Sequence, residues 1–283
     1  MKIGLGTVQF GCNYGISNKS GQVKEEEIEK ILNYAKKVGI DTIDTASLYG
    51  ESEKRLGSFN LESFKVVTKT IKIDKTIDRH ENICRFKDAF SLSQKNLGYI
   101  KLYGLMFHEA TDLLGQNGYD LWDLANEFKE NGFVDKIGIS VYSPDVLAEV
   151  IDKFDIDIVQ LPLNILDQRF IYLMKELKQK NIEIHTRSTF LQGLLLMQDY
   201  EINPYFNDIK PILKKIPEPK LAHTLQFVNN IKEVDKIIVG TTSLKDLQEI
   251  VTAINLQIEN INYENFKIND KKFILPQNWR LAQ

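Results

Sequence analysis

Four residues that could together transfer a proton lie at three predicted strand ends and in one loop. Asp44, Lys69 and His108 each end a short apolar strand, and Tyr49 lies in the loop after Asp44. A tyrosine in water has a pKa of about 10, and a nearby ammonium lowers it by stabilising the phenolate. We therefore expect Lys69 to tune Tyr49 as a proton donor, Asp44 to hold Lys69, and His108 to bind the substrate oxygen.

Each of these residues has a simpler structural explanation when it is considered alone. Asp44 could cap a helix, Tyr49 could be a rim aromatic, Lys69 could be solvated, and His108 could be a buried structural histidine. Their common position at neighbouring strand ends favours function instead. No metal site is predicted, because a metal site gains nothing from a fixed cation such as Lys69. The other histidines are expected to be structural or on the surface: His80, His185 and His223.

Short apolar runs that alternate with amphipathic stretches must position these residues. The predicted strands are 3–8, 42–44, 65–69, 102–108, 136–140, 156–161, 183–187 and 236–240. The predicted helices are 25–38, 51–57, a long polar region up to Leu97, 119–131, one opened by Pro144, 168–180, about 222–231, and 244–254. Several strands are apolar at consecutive positions, as strands buried on both faces require. Eight such β-α units predict an α/β single-domain (β/α)8 TIM barrel over residues 1–283, with a C-terminal extension, about 259–283, outside the barrel or over its mouth.

The carboxyl ends of barrel strands meet at one rim, where active sites of such barrels are built. Further polar or small residues at these ends are therefore candidates for binding a ligand. They are Gly6, Thr7, Ser140, Gln160, Asn164, Arg187, Ser188, Gly240, Thr241, Thr242 and Ser243, with Lys245 just beyond. Backbone N–H groups where the eighth helix begins are suited to a phosphate.

Seven strings resemble the aldo-keto reductase family, and they occur in the family's order from Gly4 to about Ile254. They are DTASLYGESEKRLG (44–57), VVTKT (66–70), FHEA (107–110), GIS (138–140), QLPLN (160–164), RSTFLQGLL (187–195) and IVGTTSLKDL (238–247). The D-T-A-x-x-Y-G-x-S-E pattern in the first string is highly specific. The resemblance implies a barrel oxidoreductase that binds NADPH, or in some members NADH, without a Rossmann domain.

The resemblance also implies residue roles. The catalytic tetrad is matched by Asp44, Tyr49, Lys69 and His108, with Tyr49 as the general acid while hydride passes from the nicotinamide C4 to the carbonyl carbon. Positions near the nicotinamide carboxamide are matched by Ser140, Gln160 and Asn164. The turn from Gly240 to Ser243 matches the cofactor phosphate region. The expected cofactor contacts also include Gly6, Thr7, Arg187, Ser188 and Lys245.

Two positions depart from the family pattern. Arg187 stands where many members place a tyrosine that stacks on the nicotinamide; a guanidinium can also stack, but its charge alters the redox environment. The site for the adenosine 2′-phosphate has Lys245 as its nearby cation, with Asp246 beside it. NADP(H) is therefore expected only because the family commonly uses it, and NAD(H) stays open.

Composition narrows the partners and the compartment. The chain has 283 residues and a net charge of -3, so no basic excess indicates nucleic acid or an anionic membrane. Cys12 and Cys84 have no ligand-like spacing, and no signal peptide or membrane span is evident, so a reduced cytoplasmic protein is expected. The sequence does not indicate an oligomeric state.

Three functional hypotheses follow. The first is an NAD(P)H-dependent carbonyl reductase with a small-molecule carbonyl or alcohol substrate. The second is a nicotinamide-binding redox-sensing barrel with little turnover; the complete tetrad favours the enzyme. The third is a lyase or isomerase that forms a Schiff base at Lys69, but a neighbouring Asp44 would raise the pKa of that lysine and disfavour this role.

Two further segments bear on the substrate class. The segments FGCNYGI and RSTFLQGLLL resemble a family branch associated with bacterial carbohydrate pathways, which suggests a sugar-derived carbonyl. Polar rim residues suited to a hydroxylated substrate are Asn13, Arg187 and Gln192. Four aromatic residues could either line a substrate pocket or pack the loops: Phe10, Tyr14, Tyr205 and Phe206.

Overall fold

Eight parallel strands close into a barrel in the computed structural model, which describes residues 1–280. The strands are β1 (Ile3–Gly6), β2 (Thr42–Asp44), β3 (Lys65–Lys69), β4 (Leu102–Phe107), β5 (Val134–Ser140), β6 (Ile158–Pro162), β7 (Glu183–Arg187) and β8 (Lys236–Gly240). They pair in chain order, and β8 pairs with β1 in parallel register to close the barrel. The predicted (β/α)8 architecture is confirmed.

Helices follow the strands on the outside of the barrel. They are α1 (Val8–Gly11), α2 (Glu25–Lys37), α3 (Ser52–Leu56), α4 (Arg79–Asn96), α5 (Gly118–Glu130), α6 (Pro144–Lys153), α7 (Met174–Gln179), α8 (Lys210–Leu213), α9 (Lys220–Asn229), α10 (Leu244–Ala253) and α11 (Lys271–Ile274). Short 3-10 turns are found at Ala110–Asp112, Ile171–Leu173, Leu191–Leu196, Pro204–Phe206, Tyr263–Phe266 and Pro276–Asn278. Apolar residues at helical spacing bury one face of α2, where Ile28, Ile31 and Ala35 are fully buried.

Most predicted boundaries lie within two residues of the observed ones, and contacts elsewhere in the fold explain two of the differences. The first strand ends at Gly6 rather than Val8, because the Thr7 backbone N–H donates to Asp44 O at 3.0 Å and the chain then turns into α1. The predicted helix over 168–180 is a 3-10 turn followed by the shorter α7. Its first residue, Gln168, donates instead to Tyr263 O at 2.8 Å. Tertiary contacts therefore override local pattern at both places.

A polar cluster fills the barrel interior near the amino ends of the strands. Glu183 accepts hydrogen bonds from Tyr103 Oη at 2.7 Å and from Lys136, and its other oxygen lies 2.8 Å from His185 Nε2. Burial opposes ionisation, but hydrogen bonds from His185, Lys136 and Tyr103 hold the pKa of Glu183 below its usual range. The prediction that His185 is structural agrees with this position.

The C-terminal extension packs on the loops that follow β6 and β7. The Ile268 N–H donates to Leu166 O at 2.9 Å, and the Tyr205 hydroxyl donates to Lys272 O at 3.0 Å. Trp279 packs edge-on against Phe206, with 4.9 Å between ring centroids. The extension therefore lies outside the barrel as far as residue 280, and the last three residues of the predicted 259–283 segment lie outside the described residues. No helix within residues 1–280 combines the length and apolar character needed to cross a bilayer.

Candidate active site

A cavity of about 580 Å³ opens at the carboxyl ends of the strands. Most of the predicted site residues line it: Gly6, Thr7, Asp44, Tyr49, His108, Ser140, Gln160, Arg187, Ser188, Gly240, Thr241 and Thr242. Four predicted residues do not line it: Asn164, Ser243, Lys245, and Lys69, which lies beneath the wall. The cavity extends from the ends of β2 and β4 to the turn that begins α10.

Lys69 is the centre of a buried ionic contact. Its Nζ lies 2.7 Å from each carboxylate oxygen of Asp44 and 2.9 Å from Thr45 O, and it also donates to the Tyr49 hydroxyl at 3.4 Å. Lys69 is 1% exposed. Burial lowers the pKa of Lys69 even though Asp44 opposes that shift. Because the ammonium protons are engaged and the lysine does not line the cavity, the geometry gives no support to a Schiff base at Lys69.

Tyr49 remains protonated in this environment. Burial, and after it the negative charge of Asp44, raises the pKa of Tyr49 above its ordinary value. The net shift is therefore upward rather than the downward one expected from Lys69, because burial and Asp44 outweigh the effect of nearby cations. The Lys69 ammonium still donates to the Tyr49 oxygen, so the phenol proton is free to donate into the cavity.

His108 lies edge-on to Tyr49, with 5.9 Å between ring centroids. Burial, with the nearby charge of Lys69, lowers the pKa of His108 to about 3. The imidazole is therefore neutral at physiological pH and carries one N–H. Within residues 1–280, its Nδ1 is buried without a hydrogen-bond partner. A neutral imidazole beside Tyr49 can donate to an oxygen bound in the cavity without competing as an acid.

Gln160 connects the ionic contact to the cavity. Its Nε2 donates to Asp44 Oδ1 at 2.6 Å, while its Oε1 is buried and has no partner among the described residues. Ser140 lines the same wall. A free carbonyl and a hydroxyl on one wall suit a primary amide, which both donates and accepts hydrogen bonds.

Asn164 turns away from the cavity. Its Oδ1 accepts from the backbone N–H groups of Leu166 and Asp167, and its Nδ2 donates to Ser188 O at 3.1 Å. All of these contacts shape the loop after β6. Asn164 therefore supports the loop that carries the cavity wall, and its expected direct contact with a carboxamide does not fit its position.

Carboxylates occupy the turn between β8 and α10. Asp246 Oδ2 accepts from the Thr242 N–H at 3.1 Å and from the Thr242 hydroxyl at 2.7 Å, and Glu27 Oε1 accepts from the Leu244 N–H at 2.7 Å. Ser243 caps α10 by accepting from the Asp246 N–H. The Lys245 side chain is 82% exposed. Several donors that the sequence assigned to a phosphate are thus already bound.

Arg187 is a cavity-lining cation whose charge acts on Tyr49. Its guanidinium lies 3.8 Å from the ring centroid of Tyr142, and it donates to Val141 O at 3.3 Å. Within residues 1–280 it forms no ion pair with a carboxylate. The contact with Tyr142 holds the guanidinium at the cavity wall, where it can face a ligand.

The loop after β1 contains a contact that the sequence argument missed. A Cβ atom on Gly11 would lie 1.6 Å from Tyr49 O and 2.6 Å from Ser52 N. Arg55 Nη1 donates to Phe10 O and to Val23 O, each at 2.6 Å. The glycine in the string FGCNYG was the available signal. Gly11 allows α1 to touch the turn that carries Tyr49.

The remaining rim predictions separate into two groups. Tyr14 and Gln192 line the cavity, and Gln192 Nε2 donates to the Tyr14 hydroxyl at 3.2 Å. Phe10 is fully buried, and Asn13 does not line the cavity. Tyr205 packs with Phe206 under the C-terminal extension, so that pair belongs to loop packing. Sequence reasoning missed other cavity-lining residues, among them Gln9, Tyr142, Thr189 and Glu249. No group of three metal-ligating side chains occurs in residues 1–280.

Comparisons with known proteins agree with this geometry. Residues 2–268 match the model of the Aldo/keto reductase family. The chain is 24% identical to an L-galactose dehydrogenase of Arabidopsis thaliana, over 96% of this chain and 91% of that protein. It is 25% identical to an uncharacterised oxidoreductase of Bacillus subtilis, over 90% of this chain and 87% of that protein.

Solved structures share the fold. The holo form of an aldo-keto reductase from Bacillus halodurans superposes with a TM-score of 0.75 at 18% identity, covering 94% of this chain and 89% of that one. A glycerol dehydrogenase from Gluconobacter oxydans superposes with a TM-score of 0.65 at 15% identity, covering 91% and 88%. At these identities the superpositions show the same barrel and no more.

Proposed function

The chain belongs to the aldo-keto reductase family of NAD(P)-dependent oxidoreductases, and we propose that it reduces an aldehyde or ketone with Tyr49 as the general acid. One observation carries the proposal. Lys69 donates to the Tyr49 oxygen at 3.4 Å, which leaves the phenol proton directed to a cavity that His108 also lines. A proton donor and a neutral hydrogen-bond donor side by side suit a carbonyl oxygen that gains negative charge.

The cavity wall fits a nicotinamide cofactor. The unpartnered Oε1 of Gln160 can accept from the carboxamide NH2, and the Ser140 hydroxyl can donate to its oxygen. Arg187 offers a planar cation in the same cavity. When bound, the cofactor supplies the hydride that reduces the carbonyl carbon.

The residues of this chain control the proton. His108 donates its N–H to the carbonyl oxygen and polarises it. Tyr49 gives its phenol proton to that oxygen as the carbon is reduced, and the resulting phenolate accepts a hydrogen bond from Lys69. Asp44 holds the lysine in place through both carboxylate oxygens. Tyr49 then regains a proton from water.

A hydroxylated, sugar-derived carbonyl is the proposed substrate class. Gln192 and Arg187 give the rim polar groups that can bind substrate hydroxyls, and one relative is named for L-galactose. Asn13, expected to share this role, does not line the cavity. We also propose a cytoplasmic location, in agreement with Cys12 and Cys84, which are both free thiols.

Binding and turnover test the proposed function directly. NADH and NADPH are titrated separately by quenching of intrinsic fluorescence, and loss of nicotinamide absorbance is followed with a panel of aldehydes and sugar-derived carbonyls. We expect tight binding of at least one nucleotide and reduction of at least one carbonyl. Binding of neither nucleotide would refute the reductase. Binding without turnover of any carbonyl would favour the redox-sensing hypothesis instead.

The pH profile of reduction is expected to be flat between about pH 5 and 9. His108, with a pKa of about 3, is already neutral throughout this range, and the raised pKa of Tyr49 keeps its proton in place. Measuring kcat/KM for a neutral carbonyl in buffers of constant ionic strength checks this. A loss of rate between pH 6 and 8 would mean that one of the two groups titrates near neutrality.

Gly11→Ala is expected to lower kcat by roughly a hundredfold, because the new methyl group must displace the Tyr49 turn, and misplacement by about 1 Å can have that effect. Nucleotide affinity should change by less than about threefold. Gly115→Ala is the matched control, since its Cβ would lie 3.5 Å from Asp112 O in ordinary contact. Equal kcat values for the two variants would show that the α1 contact does not position Tyr49.

A further inference from the structure

We propose that this cavity selects NADH over NADPH, because carboxylates rather than cations line its end at the start of α10. The inference rests on the proposed function, since it concerns the cofactor of the same site. It assigns a discriminating role to Asp246 and Glu249, which both line the cavity.

The orientation of the dinucleotide follows from unpartnered polar atoms. Gln160 is 1% exposed and Thr189 is 2% exposed, and within residues 1–280 neither Gln160 Oε1 nor Thr189 Oγ1 has a hydrogen-bond partner. Both residues line the cavity, and Gln160 donates to Asp44, which holds Lys69 beside Tyr49, so the polar nicotinamide belongs at this end. The other end of an extended dinucleotide then lies at the turn from β8 to α10.

The donors at that turn are engaged by negative groups. Asp246 accepts from both the N–H and the hydroxyl of Thr242, and Glu27 reaches from α2 to accept from the Leu244 N–H. A helix N-terminus with free N–H groups attracts a phosphate. Here two carboxylates already occupy that position, and Glu249 adds a third negative charge on the same helix.

Asp246 forms no ion pair within residues 1–280, and Lys30, which lies 3.3 Å from Glu27, does not line the cavity. Lys19 and Arg187 are the cavity-lining cations; Lys19 pairs with Glu201 at 2.8 Å, and Arg187 is stacked on Tyr142. Lys245 projects outward, with its side chain 82% exposed and Glu249 at 3.8 Å.

The carboxylates at this end of the cavity should weaken binding of NADPH and strengthen binding of NADH. A 2′-phosphate would bring about two negative charges to a negative surface. The 2′- and 3′-hydroxyls of NADH can instead donate to a carboxylate such as Asp246 or Glu249. The rest of the two cofactors is identical, so the ratio of their dissociation constants reports this end of the cavity alone.

The test measures both dissociation constants by fluorescence quenching and calorimetry for wild type and for Asp246→Asn/Glu249→Gln. The asparagine amide introduced by Asp246→Asn keeps an oxygen that can accept from Thr242. Glu249→Gln alone changes only an exposed side chain, so it serves as a second variant if the double variant fails to fold. Asp152→Asn, an exposed carboxylate on α6, is the control.

We expect NADH to bind wild type at least about tenfold more tightly than NADPH does. The double variant should bind NADPH about tenfold more tightly than wild type does, and Glu249→Gln alone should shift the ratio in the same direction. Because salt screens charge repulsion, the NADH preference of wild type should narrow at high ionic strength.

Other outcomes overturn the inference and can be told apart. Equal or tighter binding of NADPH to wild type would show that the carboxylates do not discriminate. An unchanged NADH-to-NADPH ratio in the double variant would show that the preference arises elsewhere. Binding of neither nucleotide would instead refute the proposed function itself.

Discussion

Tyr49→Phe is expected to lower kcat for carbonyl reduction by about a hundredfold or more, the usual loss when a general acid is removed. The phenylalanine ring fills the same space beside His108 and Lys69, but it has no proton to give to the substrate oxygen. Stopped-flow or steady-state loss of nicotinamide absorbance measures the rate, and fluorescence quenching measures nucleotide affinity. Affinity should change by less than about threefold, because the hydroxyl acts on the substrate rather than on the cofactor.

Tyr14→Phe is the matched comparison for this variant. Tyr14 also lines the cavity, and its hydroxyl accepts from Gln192. Removing the Tyr14 hydroxyl should change KM more than kcat. A hydroxyl at the cavity rim can bind the substrate without giving a proton to the reacting oxygen. Retention of more than about a fifth of wild-type kcat by Tyr49→Phe would show that another group supplies the proton.

The proximity of Asp44, Tyr49, Lys69 and His108 could be predicted from sequence because the barrel itself brings them together. Asp44, Lys69 and His108 end adjacent parallel strands or follow them directly, and the carboxyl ends of such strands meet at one rim. Their proximity therefore needed only the correct identification of strands. The pKa of Tyr49 could not be derived in the same way, because it depends on burial and on how tightly Asp44 holds Lys69.

Side chains on loops were harder to predict because local hydrogen bonds set their direction. Asn164 follows β6 at the rim but turns to cap its own loop. Lys245 follows the predicted phosphate turn, yet its position in the first turn of α10 directs it to solvent. Glu27 reaches Leu244 from 217 residues away in the chain. No sequence pattern indicates a contact that depends on how α2 packs beside α10.

The largest expected effect on stability comes from the buried contact between Lys69 and Asp44. Either Lys69→Met or Asp44→Asn should lower the free energy of unfolding by about 3 to 5 kcal/mol, because each leaves one group of a buried ion pair without its partner. Asp44→Asn leaves an uncompensated ammonium at a position that is 1% exposed. After Lys69→Met, the Asp44 carboxylate keeps one side-chain hydrogen-bond donor among residues 1–280, which is Gln160. Urea unfolding followed by circular dichroism gives each value.

The double variant Asp44→Asn/Lys69→Met tests whether the loss of stability in each single variant comes from an unpaired buried charge. Removing both charges eliminates the unpaired ion, so the loss should be smaller than the sum of the single losses by about 2 kcal/mol or more. The exposed pair Glu149 and Lys153 on α6, 2.7 Å apart, is the control, and its cycle should give a coupling of about 0.5 kcal/mol or less. Additive losses at Asp44 and Lys69 would contradict a coupled pair. The double variant should also lose reductase activity, because Tyr49 would have lost the ammonium that stabilises its phenolate.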